Sequence, residues 1–275
     1  MQSTQGPFKL LSALAFTMSL GCGSGHQFKE PNVPVETAPY AQPETDDAVI
    51  DTGSPVTDET GTVSTVPAPA VPVVKDPEPV ACSTLYKIPG TANPFLAGMP
   101  DGTEIAYPAS VDRAPVNSPV LVTPTDRQCF EPGRYLYFRV EGMIAHGDMD
   151  DQKSDADGLP TAPSTHTLDS VHKISNIKAP INSLIGIFLD DKTPEERSAP
   201  PATLDFNTGN QRDFKTLAPQ IGQIFFIGDG KDSTGKLQGF TVPAGTTRLY
   251  LAIMDAYEWN NNLGHLSGGI LWVKP

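Results

Sequence analysis

Asn260, Asn261 and Asn262 stand in a row, follow Asp255 within one short stretch, and run into Gly264. Of the 275 residues, these are the ones whose types and spacing most clearly carry chemistry. Calcium takes six to eight oxygens from carboxylates, amide carbonyls and main-chain carbonyls, and an aspartate followed by consecutive amides supplies that set. The same residues also suit a polar loop between strands, because Asn tolerates positive φ and hydrogen-bonds its own backbone. Composition leaves both readings open. A second acidic group, Asp148, Asp150, Asp151, Asp155 and Asp157, includes Asp155-Ala-Asp157-Gly158, half of an EF-hand loop that no Glu completes. It reads either as a solvated loop or as a place where a second cation screens repelling carboxylates. Enzyme signatures are missing: there is no GxSxG, HExxH or GxxxxGKS/T, and the five histidines lack metal-ligand spacing. Ser170-Val-His-Lys173 fits SxxK without its partner motifs. The chain is expected to bind rather than to catalyse.

What must position Asp255 is a strand. Leu249, Leu251 and Ile253 alternate with Tyr250, Ala252 and Met254, the period of two of an extended chain. Further short apolar runs at residues 135–140, 183–189, 223–227, 240–242 and 269–273 are separated by Pro, Gly and Asp turns. Many short strands and little helical periodicity predict an all-β, jelly-roll-like β-sandwich over residues 82–275. One short helix is expected, at residues 193–197 or 213–218.

Residues 251–264 resemble the calcium and sugar loop of the bacterial calcium-dependent galactophilic lectins. In those small β-sandwiches an Asp, two adjacent Asn side chains and two main-chain carbonyls hold the ion, and the ion coordinates two hydroxyls of galactose. The resemblance implies Asp255, Asn261 and Asn262 as side-chain ligands and Trp259 as one carbonyl donor, in a loop one residue shorter. Gly142-Met-Ile-Ala-His-Gly147 has the spacing of the family's Gly-x-x-x-aromatic-Gly segment, which assigns the other carbonyl to His146. The likeness extends over residues 135–273, and the opening at residues 89–100 resembles that of a broader set of exported proteins. The family's sugar-selecting His and Gln have no direct match. Asp169 and His172 stand nearest at a similar spacing, and would join Asp255 and Asn261 at the sugar or serve as surface polar residues. The Trp259 ring is placed either to stack on a sugar face or to cover the loop. Implied, then, is a calcium-dependent module for a galactose-like glycan. The alternative is a structural envelope lipoprotein whose calcium only fixes a loop and whose partner is a protein.

Ahead of the domain, residues 1–29 contain no acid, and Lys9 precedes an apolar run at residues 10–20, too short to span a bilayer. Gly21-Cys22 after such a run resembles the bacterial lipobox, which makes residues 1–22 a signal peptide and Cys22 the lipidated residue. A signal cut nearby without lipidation is the other reading. Both lead out of the cytoplasm, and Gly23 resembles lipoproteins sent to an outer membrane or cell surface, where the lipid is the only membrane contact. If Cys22 is lipidated, Cys82 and Cys129 remain, either as a disulfide or as two buried thiols. Residues 23–81 are rich in Pro, Thr and acids and are expected to be a disordered tether. Residues 30–80 alone hold ten acids against one lysine, a net −9 of the chain's −13. With no basic stripe, nucleic acid is excluded as a partner.

Overall fold

A computed structural model describes residues 79–82, 85–124, 127–147 and 152–273. Residues 1–22 with Cys22, the tether up to residue 78, and Asp148, Asp150 and Asp151 lie outside the described residues. The domain is an all-β sandwich. Its larger sheet has the spatial order β1 (Pro79–Ala81), β16 (Leu263–Val273), β6 (Tyr135–Ala145), β14 (Gly239–Thr241) and β12 (Thr216–Leu217). In that sheet β2 (Tyr86–Pro89) also pairs with β16, and β7 (Lys153–Ser154) with β6. The facing sheet runs β13 (Ile224–Phe226), β10 (Leu184–Leu189), β15 (Arg248–Ile253) and β5 (Val120–Val122). Two smaller sheets flank these: β11 (Leu204–Asp205), β9 (Ile177–Ile181) and β8 (Leu159–Thr165), and the hairpin of β3 (Glu104–Ala106) with β4 (Val111–Arg113). β1 lies ahead of the expected boundary at residue 82, so the paired domain begins at least three residues earlier than composition suggests.

The alternation seen in the sequence becomes the core. Phe138 of β6 meets Phe240 of β14 edge-on with ring centroids 5.2 Å apart, and Phe240 reaches Phe225 of β13 across the sandwich at 5.5 Å. Phe225 in turn stacks on Phe188 of β10 at 5.1 Å. Every residue of β10 is buried, because its other face is covered as well. There the 3-10 turn Pro94–Leu96 packs on β10 and β15, and Ile253 donates its N–H to the Ala92 carbonyl. A strand covered on both faces reads as a continuous apolar run, and each of its large side chains contributes about 1.5–3 kcal/mol of transfer free energy.

β16 extends six residues further towards the N-terminus than the expected 269–273. Its glycines hid the strand pattern, since glycine weakens strand propensity. They are there for approach: a Cβ on Gly264, which has φ +81°, would lie 2.3 Å from the Met143 carbonyl oxygen on β6. The expected helix at 193–197 is a 3-10 turn, Pro194–Glu196, whose Glu196 carboxylate accepts the Thr193 N–H. Residues 216–217 are strand β12 rather than helix, and a single-turn helix α1, Gly209–Arg212, stands just ahead of them.

Cys82 and Cys129 are joined, with Cα atoms 5.8 Å apart and both residues buried. The crosslink ties the end of β1 to the turn Arg127–Phe130 that leads into β6. Closing a loop with a sequence separation of 47 limits the unfolded chain, and the chain-entropy relation gives about 4 kcal/mol. Replacing both cysteines by alanine is expected to lower the free energy of unfolding by roughly that amount, measured by urea titration under oxidising conditions. The wild type titrated in a thiol reductant should match the double variant.

Candidate functional site

β15 pairs with β10 up to Ile253↔Leu184, and two residues later the chain delivers Asp255 at one end of the sandwich. At that same end β16 begins opposite the last residue of β6, Leu263↔Ala145. Asn262 therefore sits just before the pair and His146 and Gly147 just after it. Three chain segments from both main sheets meet at this point.

The contacts follow from that placement. Asn262 accepts the Gly147 N–H on Oδ1 at 3.1 Å and donates Nδ2 to the Gly90 carbonyl at 3.1 Å. Gly90 allows the approach, since a Cβ there would lie 2.8 Å from the Leu263 carbonyl oxygen. Asp255 is 5% exposed and takes the Ala256 N–H on Oδ1 at 2.6 Å. Burial raises its pKa to about 6, against the lowering effects of the Asn262 amide, the Ala256 and Tyr257 N–H groups and the nearby His146. His146 is half-buried, and its Nδ1 is buried without a partner. The Asn261 amide is half-buried and hydrogen-bonded to none of the described residues.

The intervening loop is anchored from within. Glu258 takes a left-handed conformation, φ 63° and ψ 58°, and its carboxylate accepts the Ala109 N–H at 3.2 Å. Trp259 opens the 3-10 turn Trp259–Asn261 and is fully buried, with its indole N–H donated to the Ile253 carbonyl at 2.7 Å. Phe95, Tyr107 and His166 surround the ring, with His166 stacked on Phe95 at 4.0 Å. Of the two roles expected for this ring, it takes the covering one; enclosed on all sides, it offers no face to a sugar. The Trp259 carbonyl accepts the Asn262 N–H at 3.1 Å, which leaves that oxygen a second lone pair for an ion.

Beneath the loop lies a polar network that sequence reasoning missed. Asp112, with no exposed surface, accepts the Trp259 N–H and the Asn260 N–H, each at 3.1 Å, and Asn93 Nδ2 at 2.9 Å. Burial raises its pKa despite those donors. Asn93 also reaches the Tyr107 hydroxyl, which lies 3.1 Å from His166 Nε2. His166 Nδ1 is 3.1 Å from the Asp169 carbonyl, which only accepts, so Nδ1 carries the proton and Nε2 accepts from Tyr107. No local pattern marks these residues: Asp112 is the one acidic residue of a three-residue strand that also carries Arg113, and His166 is an isolated histidine.

Asp169 and His172, the two positions nearest to the family's sugar-selecting pair, have different partners. Thr167 N–H donates to the Ala256 carbonyl, which ties the loop containing Asp169 to the Asp255 loop. Asp169 is exposed at φ +64° and accepts Asn176 Nδ2 at 3.5 Å. His172 instead pairs through Nδ1 with Glu195 at 2.9 Å, on the turn that follows β10. Asp155 and Asp157 form a turn of their own, in which Asp155 accepts the Asp157 N–H and Asp157 the Asp229 N–H.

The residues at the end of the sandwich fit a calcium ion by donor chemistry. One carboxylate, two amide side chains and the carbonyls of His146 and Trp259 are all oxygen donors, and Asp255 is a buried carboxylate beside the His146 imidazole. No group of three His, Cys, Asp or Glu side chains suited to a metal occurs among the described residues, and a set made mainly of amides and carbonyls does not need one. No family model, curated protein or solved structure matches the chain.

Burial lowers the His166 pKa to about 4, whereas an unfolded imidazole takes its proton near 6.5. Between those values the native state binds fewer protons, so the stability His166 contributes is lost as pH falls from 6.5 towards 4. The raised Asp255 acts in the opposite sense: as pH falls from about 6 towards 3.8 the folded carboxyl takes up its proton first, which favours the native state. Nitrogen-15 NMR of the histidine rings at pH 6 is expected to find His166 as the Nδ1–H tautomer, titrating near 4 rather than near 6.5.

Proposed function

We propose that this domain is a calcium-dependent carbohydrate-binding module, exported and displayed through a lipid on Cys22 and the acidic Pro/Thr tether. The observation that carries the reading is the meeting of Asp255, Asn262 and the His146–Gly147 segment, which the lectin resemblance requires and which come from positions more than a hundred residues apart. Calcium held by Asp255, Asn261, Asn262 and the carbonyls of Trp259 and His146 supplies a positive centre for two vicinal sugar hydroxyls. Asp255 and Asn261 accept and donate hydrogen bonds to those hydroxyls, and Asp169 stands on the adjoining loop. Galactose-like sugars are the class this arrangement suits. Single-site affinity through two hydroxyls on one ion is low, and many tethered copies on one surface raise it by avidity.

One observation favours a second reading. Asp255 and Asn262 are each only 5% exposed, and Asn262 already braces Gly90 and Gly147. An ion enclosed by protein oxygens would then fix the loop of an envelope lipoprotein whose partner is a protein.

Isothermal titration of the purified protein is expected to show calcium uptake at neutral pH, lost in Asp255→Ala. Because protonation removes the charged ligand, affinity should fall as pH drops through the Asp255 pKa of about 6. A glycan array run with calcium and again with chelator separates the two readings. Calcium-dependent retention of galactosides supports the module, calcium uptake with no glycan retained supports the structural role, and retention unchanged by chelator rejects the mechanism.

A further inference from the structure

The loop between Asp255 and Asn262 contains no proline, and its two conformationally costly features are the left-handed Glu258 and the tight turn Trp259–Asn261. Such a turn leaves the N–H groups at its start without partners. Here Asp112 supplies them from another part of the chain, 147 and 148 residues away, with one carboxylate oxygen on Trp259 N–H and the other on Asn260 N–H. A Ser, Thr, Asp or Asn side chain does the same at a helix start, but from within the same segment. Asp112 is fully buried, feels the like charge of Glu258, and is compensated by N–H donors. Asn93 donates Nδ2 to the same carboxylate oxygen that takes the Trp259 N–H, and is itself fixed by accepting the Phe95 N–H at 2.9 Å.

The two amides that Asp112 grips belong to the residues immediately before Asn261. Their orientation sets the Trp259 carbonyl, which points along the turn to the Asn262 N–H, and sets the directions in which the Asn261 and Asn262 side chains leave the backbone. A carboxylate buried at this cost and aimed at two main-chain amides of one loop does more than fill a core position: an apolar residue would cover the hairpin without the desolvation penalty. Resting on the calcium reading above, we propose that Asp112 is the positioning residue of the ion loop, presetting the Trp259 carbonyl and the Asn261 and Asn262 amides in the arrangement that receives calcium. Asp112 touches neither the ion nor the sugar; it acts through the backbone of the turn. Groups that orient metal ligands typically change affinity by about 10- to 100-fold when altered.

Asp112→Asn tests this in the full-length protein. Its amide nitrogen replaces one acceptor with a donor, opposite either the Asn260 N–H or both the Trp259 N–H and Asn93 Nδ2. Calcium affinity by titration calorimetry and melting temperature in chelator are measured together for the wild type, for Asp112→Asn, and for Phe138→Leu, a core variant in β6. The expected result is about a 10- to 100-fold weaker calcium Kd for Asp112→Asn, with wild-type affinity retained in Phe138→Leu at a comparable loss of melting temperature. Unchanged affinity in Asp112→Asn overturns the proposal, and so does an equal loss in Phe138→Leu, which would mean that affinity only follows stability. If Asp112→Asn does not fold, Asp112→Glu carries the same readout, since it keeps the charge and displaces the carboxylate by one methylene. A wild type that takes up no calcium overturns the calcium reading and this inference together, whereas a wild type that binds and an Asp112→Asn that binds equally overturns the inference alone.

Discussion

Ten consecutive residues of β16 pair with β6, from Leu263↔Ala145 to Trp272↔Leu136, and the rest of the domain follows from that register. Leu266, Ile270 and Trp272 point into the sandwich together with Leu136 and Phe138. A slip of one residue would turn all of them outward, and would also move Asn262 away from Gly147. The pairing that buries the core is therefore the pairing that assembles the candidate site. No separate element has to be stabilised to bring His146 and Asn262 together, because they are the first residues beyond a ladder that the hydrophobic pattern already fixes.

Asp112 and Asp255 show two ways of burying a carboxylate. Asp112 is met by three donors at 2.9 to 3.1 Å and braces a loop from below. Asp255 has its neighbouring N–H groups and the Asn262 amide, and its pKa settles at about 6, so near neutrality it is a charge that the protein alone only partly compensates. A buried anion of this kind is costly unless something positive joins it. The aromatic cluster of Phe95, Tyr107, His166 and Trp259 keeps water out around this network, which strengthens every electrostatic contact inside it.

Much of this was legible locally. The alternation of Leu249, Leu251 and Ile253 gave a strand and placed Asp255 at its end, and the lectin resemblance of the Gly142-to-Gly147 segment pointed to His146, which lies next to the loop. What stayed hidden was of two kinds. Glycines in β16 masked a strand because they serve close approach to β6 rather than packing, and propensity registers only the missing side chain. Asp112, Asn93, Tyr107 and His166 are single polar residues whose partners lie far off in sequence. Nothing in a short window distinguishes them from surface residues, since their burial is a property of the assembled layers. The same limit applies to the His172–Glu195 pair, which joins residues 23 positions apart.

β1 gives the domain a direction under load. It pairs with the last three residues of β16, Pro79↔Val273 to Ala81↔Leu271, and Cys82 follows at once with its crosslink to Cys129. Tension transmitted along the preceding chain can peel only those three pairs before it reaches a covalent bond, which hands the force to the base of β6. Asn262 and Asp255 stand at the other end of β16, roughly 30 Å away at ~3.3 Å per residue. A domain pulled by its N-terminal side would thus bear the load at one pole, through the disulfide and the long β6–β16 ladder, while the loop at the opposite pole stays outside the path of the force.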